Sequence, residues 1–308
     1  MRSSTPKRFE SQREIGHAGF RFPDYFRFGI DAIRHDFFDD ETMLEVKQRI
    51  HRDHRTNPET IVDHLLQCLD LRGRESILDL GCGNGFLLAE VAKHLVDGAR
   101  VVGLDIAPGI LRHARRRFDC LELDAVWVEG SADDLSTFED DGFDRVMANY
   151  MVHYVPDLEA AFAEVRRVLR IDGRFVATTD SVEGMGEMYQ VHFDAVTRLG
   201  WPEHVMRGSP KHRFSLENGA ALLGKHFPRV EVRIYTDQLR FETPEPFMEF
   251  YAIGHRYCSA RAVPDPTLTD SMFSKLHQTV EETVRKQIEA NGAFVVSKRT
   301  GSFVCSAA

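Results

Sequence analysis

Two hydrophobic rhythms alternate along this chain. Short apolar runs, rich in β-branched residues, are followed by stretches in which apolar residues return every three or four positions. The runs at 77–80, 100–104, 125–129, 144–148 and 174–179 predict buried strands. The periodic stretches at 59–69, 86–95, 109–118 and 158–169 predict helices, the first with Ile61, Leu65, Leu66 and Leu69 on one stripe. Asp172-Gly173 reads as the C-terminal cap of the last of these helices. Strands alternating with helices at this rhythm predict an α/β fold with a doubly wound, mostly parallel sheet. Such sheets bind ligands at the carboxyl ends of their strands.

The flanks read differently. Residues 1–19 are polar without a period and predict a flexible tail. From Phe20 the text becomes rich in aromatic residues, and helix-compatible spacing resumes at Met43, Leu44, Val46 and Ile50. This predicts an N-terminal helical arm, packed on the domain or serving as part of a lid. The segment 180–223 shows no strand pattern but many ring and basic residues, among them Tyr189, His192, Trp201, His212 and Arg213. Beyond it the pattern predicts a strand at 229–235, a helix at 246–257 and a long helix at 269–290 striped by Met272, Leu276, Val280, Val284 and Ile288. Two short strands, 293–297 and 302–306, would flank a tight turn at 299–301. The expected division is a tail and arm over 1–57 and a catalytic domain over 58–308, with a lid insertion at about 180–223.

Composition narrows the function. The chain has 308 residues and a formal net charge of −9, which argues against a nucleic-acid surface. Its five cysteines are scattered and form no C-x-x-C pair, so neither a disulfide framework nor a metal site is suggested. The polar N-terminus lacks an apolar signal core and no apolar run is long enough to span a bilayer, so a cytoplasmic location without membrane partners is expected.

The candidate chemistry centres on Ile77–Leu88, ILDLGCGNGFLL: a buried strand, a turn with Gly81, Gly83 and Gly85, then a helix start. Glycines let the backbone turn tightly and approach a ligand, and the helix N-terminus offers unpaired N–H groups. The spacing is G-x-G-x-G rather than the dinucleotide G-x-G-x-x-G. Asp79 precedes it, where a carboxylate would repel a pyrophosphate but suits an ammonium. Asp105 ends the second strand, placed to accept hydrogen bonds from both hydroxyls of a ribose. It also suits a helix N-cap ahead of Pro108. Cys82, inside the turn, reads as a small space-filling residue. Asp133 and Asn149 fall at later strand ends.

From about Ser76 to Thr179 the chain resembles the class I S-adenosylmethionine-dependent methyltransferases of small-molecule type. The resemblance is carried, in the family's order, by ILDLGCGNG, LDIAPGIL, EGSADDL and FDRVMANYMVHYVPD…VRRVLRIDGRF. It implies a seven-stranded, Rossmann-like sheet with an antiparallel strand and S-adenosyl-L-methionine as cofactor. Asp79, Gly81 and Asn149 would meet the methionine moiety and Asp105 the ribose, with Gly83 also binding the cofactor. Ile106, Ala132 and Asp133 would frame adenine. Separately from the resemblance, the lid reading of the arm would have Tyr25 or Phe26 facing the cofactor. Ser131 stands where many relatives have aspartate, which leaves Asp133 to read the adenine amino group if Ser131 does not. The implied reaction is methyl transfer to an oxygen or nitrogen of a small-molecule metabolite, of the kind made in secondary metabolism. His153, which follows Asn149 off the fourth strand, is the candidate general base, with packing or cofactor contact as its competing role; Tyr150 and Tyr154 are weaker candidates. Lys211, His212 and Arg213 could hold an anionic acceptor or form a solvated face. The alternatives are a nucleic-acid base methyltransferase, which commonly shows Asn/Asp-Pro-Pro-Tyr/Phe where this chain has Asn149-Tyr150-Met151-Val152, and a non-catalytic cofactor-binding protein. The sequence gives no oligomeric state, a homodimer being one option.

Overall fold

The computed structural model describes residues 41–96, 98–119, 121, 123, 125–201, 212–253 and 269–308. The arm before residue 41, with Tyr25, lies outside them, as do Cys120, Lys211 and Cys258. The elements run α1 (Thr42–His54), α2 (Ile61–Leu69), β1 (Ser76–Leu80), α3 (Phe86–Ala92), β2 (Arg100–Asp105), α4 (Pro108–Phe118), β3 (Ala125–Glu129) and β4 (Phe143–Asn149). A 3₁₀ turn (Val152–Tyr154) follows, then α5 (Leu158–Val168), β5 (Leu169–Asp180), α6 (Gly186–Arg198), α7 (Gly219–Leu223), β6 (Arg229–Phe241), α8 (Pro244–Ala252), α9 (Asp270–Asn291) and β7 (Phe294–Ser306).

The strands form one sheet of order β3-β2-β1-β4-β5-β7-β6, parallel from β3 to β5 and antiparallel on both sides of β7. Every residue of β1 is buried because the strand is central and covered on both faces. Ile77 packs towards α2 and α3, in a core with Leu65, Leu88 and Val91. Leu78 points the other way, in a core with Phe162 and Val165 of α5. The edge strand β3 leaves Val126 half exposed. α2 starts on a capping box, in which Thr60 and Asp63 satisfy each other's backbone N–H. A third core lies beside the sheet. It joins α1, α6, α8 and α9 to the far ends of β6 and β7 through residues such as Ile50, Val191, Phe247, Leu276, Leu239 and Phe294. This cap is thus assembled from separated stretches of sequence. No helix among the described residues is long and apolar enough to cross a membrane.

Two local expectations are corrected. No hairpin turn occurs at 299–301. β7 is one continuous strand, and Gly301 pairs with Thr179 on one side and Ile234 on the other. A Cβ at Gly301 would lie 2.6 Å from the Arg233 carbonyl oxygen and 3.2 Å from Ile234 Cα. The glycine is there because the backbone of β6 closes in on it, not because the chain turns. Nor does Gly173 cap α5, which ends at Val168. The β4–β5 register jumps from Phe143↔Leu169 to Arg145↔Arg174, so residues 170–173 form a bulge. A Cβ at Gly173 would meet the Arg170 carbonyl oxygen at 2.8 Å.

Gly301→Ala is expected to destabilise the protein by about 1–3 kcal/mol, because backbone on the neighbouring strand cannot yield as a side chain would. Urea unfolding of the variant checks this; an unchanged midpoint would mean that the β6–β7 approach is looser than described.

Candidate functional site

The turn after β1 is shaped by its glycines and pinned by a carboxylate. Gly81 and Gly83 have φ of +61° and +54°, left-handed backbone that side chains disfavour. A Cβ at Gly81 would also lie 2.7 Å from Met151 Cγ. The end of β2 grips the turn: Cys82 N–H donates to the Leu104 carbonyl at 3.0 Å, and Gly83 N–H donates to Asp105 Oδ2 at 2.8 Å. Asp105 Oδ1 accepts from Ala107 N–H at 3.0 Å. Burial raises the Asp105 pKa, opposed by the N–H groups of Ala107, Gly83 and Ile106. Each oxygen accepts one hydrogen bond of ordinary geometry, and since a carboxylate has about four acceptor sites, Asp105 retains capacity for a ligand.

Asp79, at the end of β1, is 2% exposed. Burial, and then the Asp105 charge, push its carboxyl well above the usual carboxylate range. The Asn149 amide at the end of β4 favours the charged form but makes no hydrogen bond of ordinary geometry. Asp79 Oδ1 and both amide atoms of Asn149 have no hydrogen-bond partner among the described residues. Orphaned buried polar atoms of this kind are rare outside functional sites. Here an acceptor and an amide converge on a cradle where a glycine Cβ would not fit, which suits a ligand carrying an ammonium.

A cavity of about 370 Å³ opens over these strand ends, within the range of small-molecule sites. Asp79, Gly81, Gly83, Asp105, Ile106 and Ala132 line it, as do Asn149 and His153. Asp133 does not line it. Its carboxylate accepts from the Ser131 hydroxyl and from Asp157 N–H, while Ser131 itself lines the cavity. Cys82 also lines the cavity, and burial pushes its thiol pKa well up, which fits a filler rather than a nucleophile.

Past Asn149, Tyr150 takes a left-handed φ of +58°, so the chain swings across the mouth and places Met151, His153 and Tyr154 in the wall. His153 is buried, its ring 4.2 Å from that of Tyr154. Arg213 donates to the backbone carbonyls of His153 at 3.3 Å and Pro156 at 2.8 Å, so it holds this turn in place. Further wall residues are Leu44, Lys47, Gln48 and His51 of α1, Met185, Met188 and Tyr189 near α6, Phe250 of α8 and Lys298 of β7; of these the sequence named only Leu44 and Tyr189, and neither as a site residue. The α1 residues do carry a signal, a shared stripe at i, i+3, i+4 and i+7, but nothing local says which way that stripe points.

Residues 77–173 match the model of the methyltransferase domain family. The chain is 30% identical over 179 residues to malonyl-[acyl-carrier protein] O-methyltransferase of Legionella pneumophila, covering 58% of each chain. It is 32% identical over 127 residues to ubiquinone biosynthesis O-methyltransferase of Alkalilimnicola ehrlichii, covering 41% of this chain and 49% of that one. The chain spans roughly half the length of these curated relatives. A crystal structure from Anabaena variabilis, described as a candidate methyltransferase of an antibiotic biosynthesis pathway, superposes with a TM-score of 0.56 at 18% identity. It covers 79% of this chain and 95% of its own. That likeness shows the fold.

The buried Asp79 carboxyl predicts a stability cost. Its folded-state pKa is raised, so stability falls as pH rises from the ordinary carboxylate value, about 3.9, through the raised one. Asp79→Asn, which cannot ionise, is expected to remove that fall and to stabilise the ligand-free protein by about 0.5–2 kcal/mol at neutral pH. Thermal unfolding of both proteins across pH checks it; a destabilised variant with an unchanged pH profile would contradict the burial argument.

Proposed function

Since residues 77–173 form a class I S-adenosylmethionine-dependent methyltransferase domain, we propose that the whole chain transfers a methyl group from this cofactor to an oxygen or nitrogen of a small-molecule acceptor. The observation that carries the reading is the pair of buried carboxylates, Asp79 and Asp105, held at adjacent strand ends around a glycine turn. In this reading Asp79 and Asn149 take the methionine ammonium, whose charge would restore ionised Asp79. Asp105 takes the ribose hydroxyls with its remaining acceptor capacity. Ile106 and Ala132 border adenine, with Ser131 rather than Asp133 available at its edge. The cofactor, when bound, supplies a methyl group already activated on a sulfonium.

The chain's own task is then to hold an acceptor in line with that methyl and to keep water out. The wall beyond Asn149 suits this. Met151, Tyr154, Met185, Met188 and Phe250 are apolar or aromatic, and His153 stands among them with its backbone fixed by Arg213. A neutral imidazole there can take the proton that an acceptor hydroxyl or amine loses as its lone pair bonds to the methyl carbon. The name of the malonyl-[acyl-carrier protein] relative specifies a carrier-bound acceptor, whereas that of the ubiquinone biosynthesis relative supports a small one. So does a cavity overlaid by α1, α6 and α8, which leaves a nucleic-acid base less favoured.

Incubation with methyl-labelled S-adenosylmethionine, a metabolite extract and, separately, nucleic acid tests the reading. Label should enter the small-molecule fraction; label in nucleic acid, or none anywhere, would count against it. Asp105→Ala is expected to weaken S-adenosylhomocysteine binding by roughly 2–4 kcal/mol, if each lost bond to the charged acceptor is worth about 1.5–3; unchanged affinity in calorimetry would place the ribose elsewhere. His153→Ala should lower turnover by about 10²–10⁴-fold with cofactor affinity nearly unchanged, and His153→Asn should not restore it. Rescue by asparagine in single-turnover experiments would assign His153 a positioning role instead.

A further inference from the structure

An amphipathic helix ordinarily turns its polar stripe to water. α1 does otherwise. Met43, Val46 and Ile50 enter the cap core, and the adjoining stripe of Leu44, Lys47, Gln48 and His51 lines the cavity. That stripe is held on the glycine turn at two points. Leu44 Cδ1 lies 3.3 Å from where a Cβ on Gly83 would be. Gln48 and Asn84 exchange amide hydrogen bonds, Gln48 Nε2 donating at 3.0 Å and Asn84 Nδ2 donating at 3.4 Å. At the start of the helix, Glu41 pairs with His113 at 2.5 Å and with Arg117 at 3.6 Å, both on α4. Lys47 shares the stripe with Leu44 and Gln48, and so is carried over the turn.

The electrostatics of this end of the cavity are one-sided. Asp79 and Asp105 are buried carboxylates, and the second already disfavours ionisation of the first. The methionine moiety brings an ammonium, which suits Asp79, and also a carboxylate, which there faces two like charges in a low-dielectric pocket. A cation would offset them. Among the described residues two lysines line the cavity, Lys47 and Lys298. Lys298, on β7, rests over the rings of Tyr150 and Tyr235, 5.6 and 5.8 Å from their centroids. Lys47 alone of the two belongs to the helix seated on the glycine turn.

We propose that Lys47 binds the carboxylate of the cofactor's methionine moiety, which makes α1 a part of the cofactor site. The assignment rests on the S-adenosylmethionine reading above and goes beyond it. An ammonium–carboxylate contact in a partly buried site is a charge-assisted bond of the stronger kind, and it also gives the α1 stripe its reason to face inward.

Calorimetry on the full chain, with S-adenosylhomocysteine and with its decarboxylated counterpart, which keeps the ammonium, tests the proposal. The unaltered protein should bind S-adenosylhomocysteine about 10–100-fold more tightly than the decarboxylated ligand. Lys47→Met keeps the apolar stem and should bring the two affinities within about threefold of each other, by weakening S-adenosylhomocysteine alone. Lys47→Arg should keep most of the preference. A preference that survives Lys47→Met, or an equal loss for both ligands, would overturn the proposal, the second by showing a packing role. Absence of any preference in the unaltered protein would overturn it as well. If the unaltered protein bound neither ligand, the cofactor reading itself would fall, and the proposal with it.

Discussion

The Asp105 carboxylate joins two strand ends into a site. By accepting N–H groups from Gly83 and Ala107, it ties the turn after β1 to the turn after β2. Without an acceptor there, Gly83 would leave a buried N–H without a partner, and the left-handed backbone of Gly81 and Gly83 would lose its support. The cost is a buried charge, moderated because three backbone N–H groups converge on it. Asp79 lacks such compensation. It is the less stable of the two carboxylates for that reason, and the one whose ionisation a cationic ligand would restore.

That asymmetry explains how the site can be both built and receptive. A fully satisfied pair of carboxylates would leave no acceptor capacity for a ligand. Two unsatisfied ones would place an excessive desolvation penalty in the centre of the sheet. The chain satisfies one through backbone and leaves Asp79 Oδ1 and Asn149 open. Tyr150 follows with backbone strain of the kind found at functional sites. Its N–H is retained by the Thr178 carbonyl at 2.8 Å, and the turn beyond it by Arg213. The strain is thus held by β5 and by Arg213, more than sixty positions away in the chain.

The cap has a similar logic at larger scale. α1 comes before the sheet, α6 and α8 from between its later strands, and α9 immediately before β7, yet they share one apolar core. β6 and β7 are long enough to extend past the other strands and support it, pairing without interruption from Arg229↔Ser306 to Phe241↔Phe294. The cavity is walled by α1, α6 and α8 and depends on the core that these helices share with α9.

The sequence by itself determined the parts whose causes are local. The strand at 77–80, the glycine turn and the helix start are contiguous, and backbone conformation there follows from residue type. Asp79, Asp105 and Asn149 could be placed at strand ends because the alternation of strand and helix puts carboxyl ends on one side of a parallel sheet. Gly301 shows where local reading ends. Polar residues before a glycine look the same for a hairpin turn and for a strand whose neighbours leave no room for a Cβ, and only the neighbouring strands decide. Asp133 shows it again: its position after β3 was legible, but its engagement with Ser131 and Asp157 depends on where the loop before α5 passes. Lys47, Gln48 and His51 are the fullest case. A helical period reveals that α1 has two faces, but whether the polar face meets water or a cavity depends on what lies opposite, and that is supplied by packing between residues far apart in the chain.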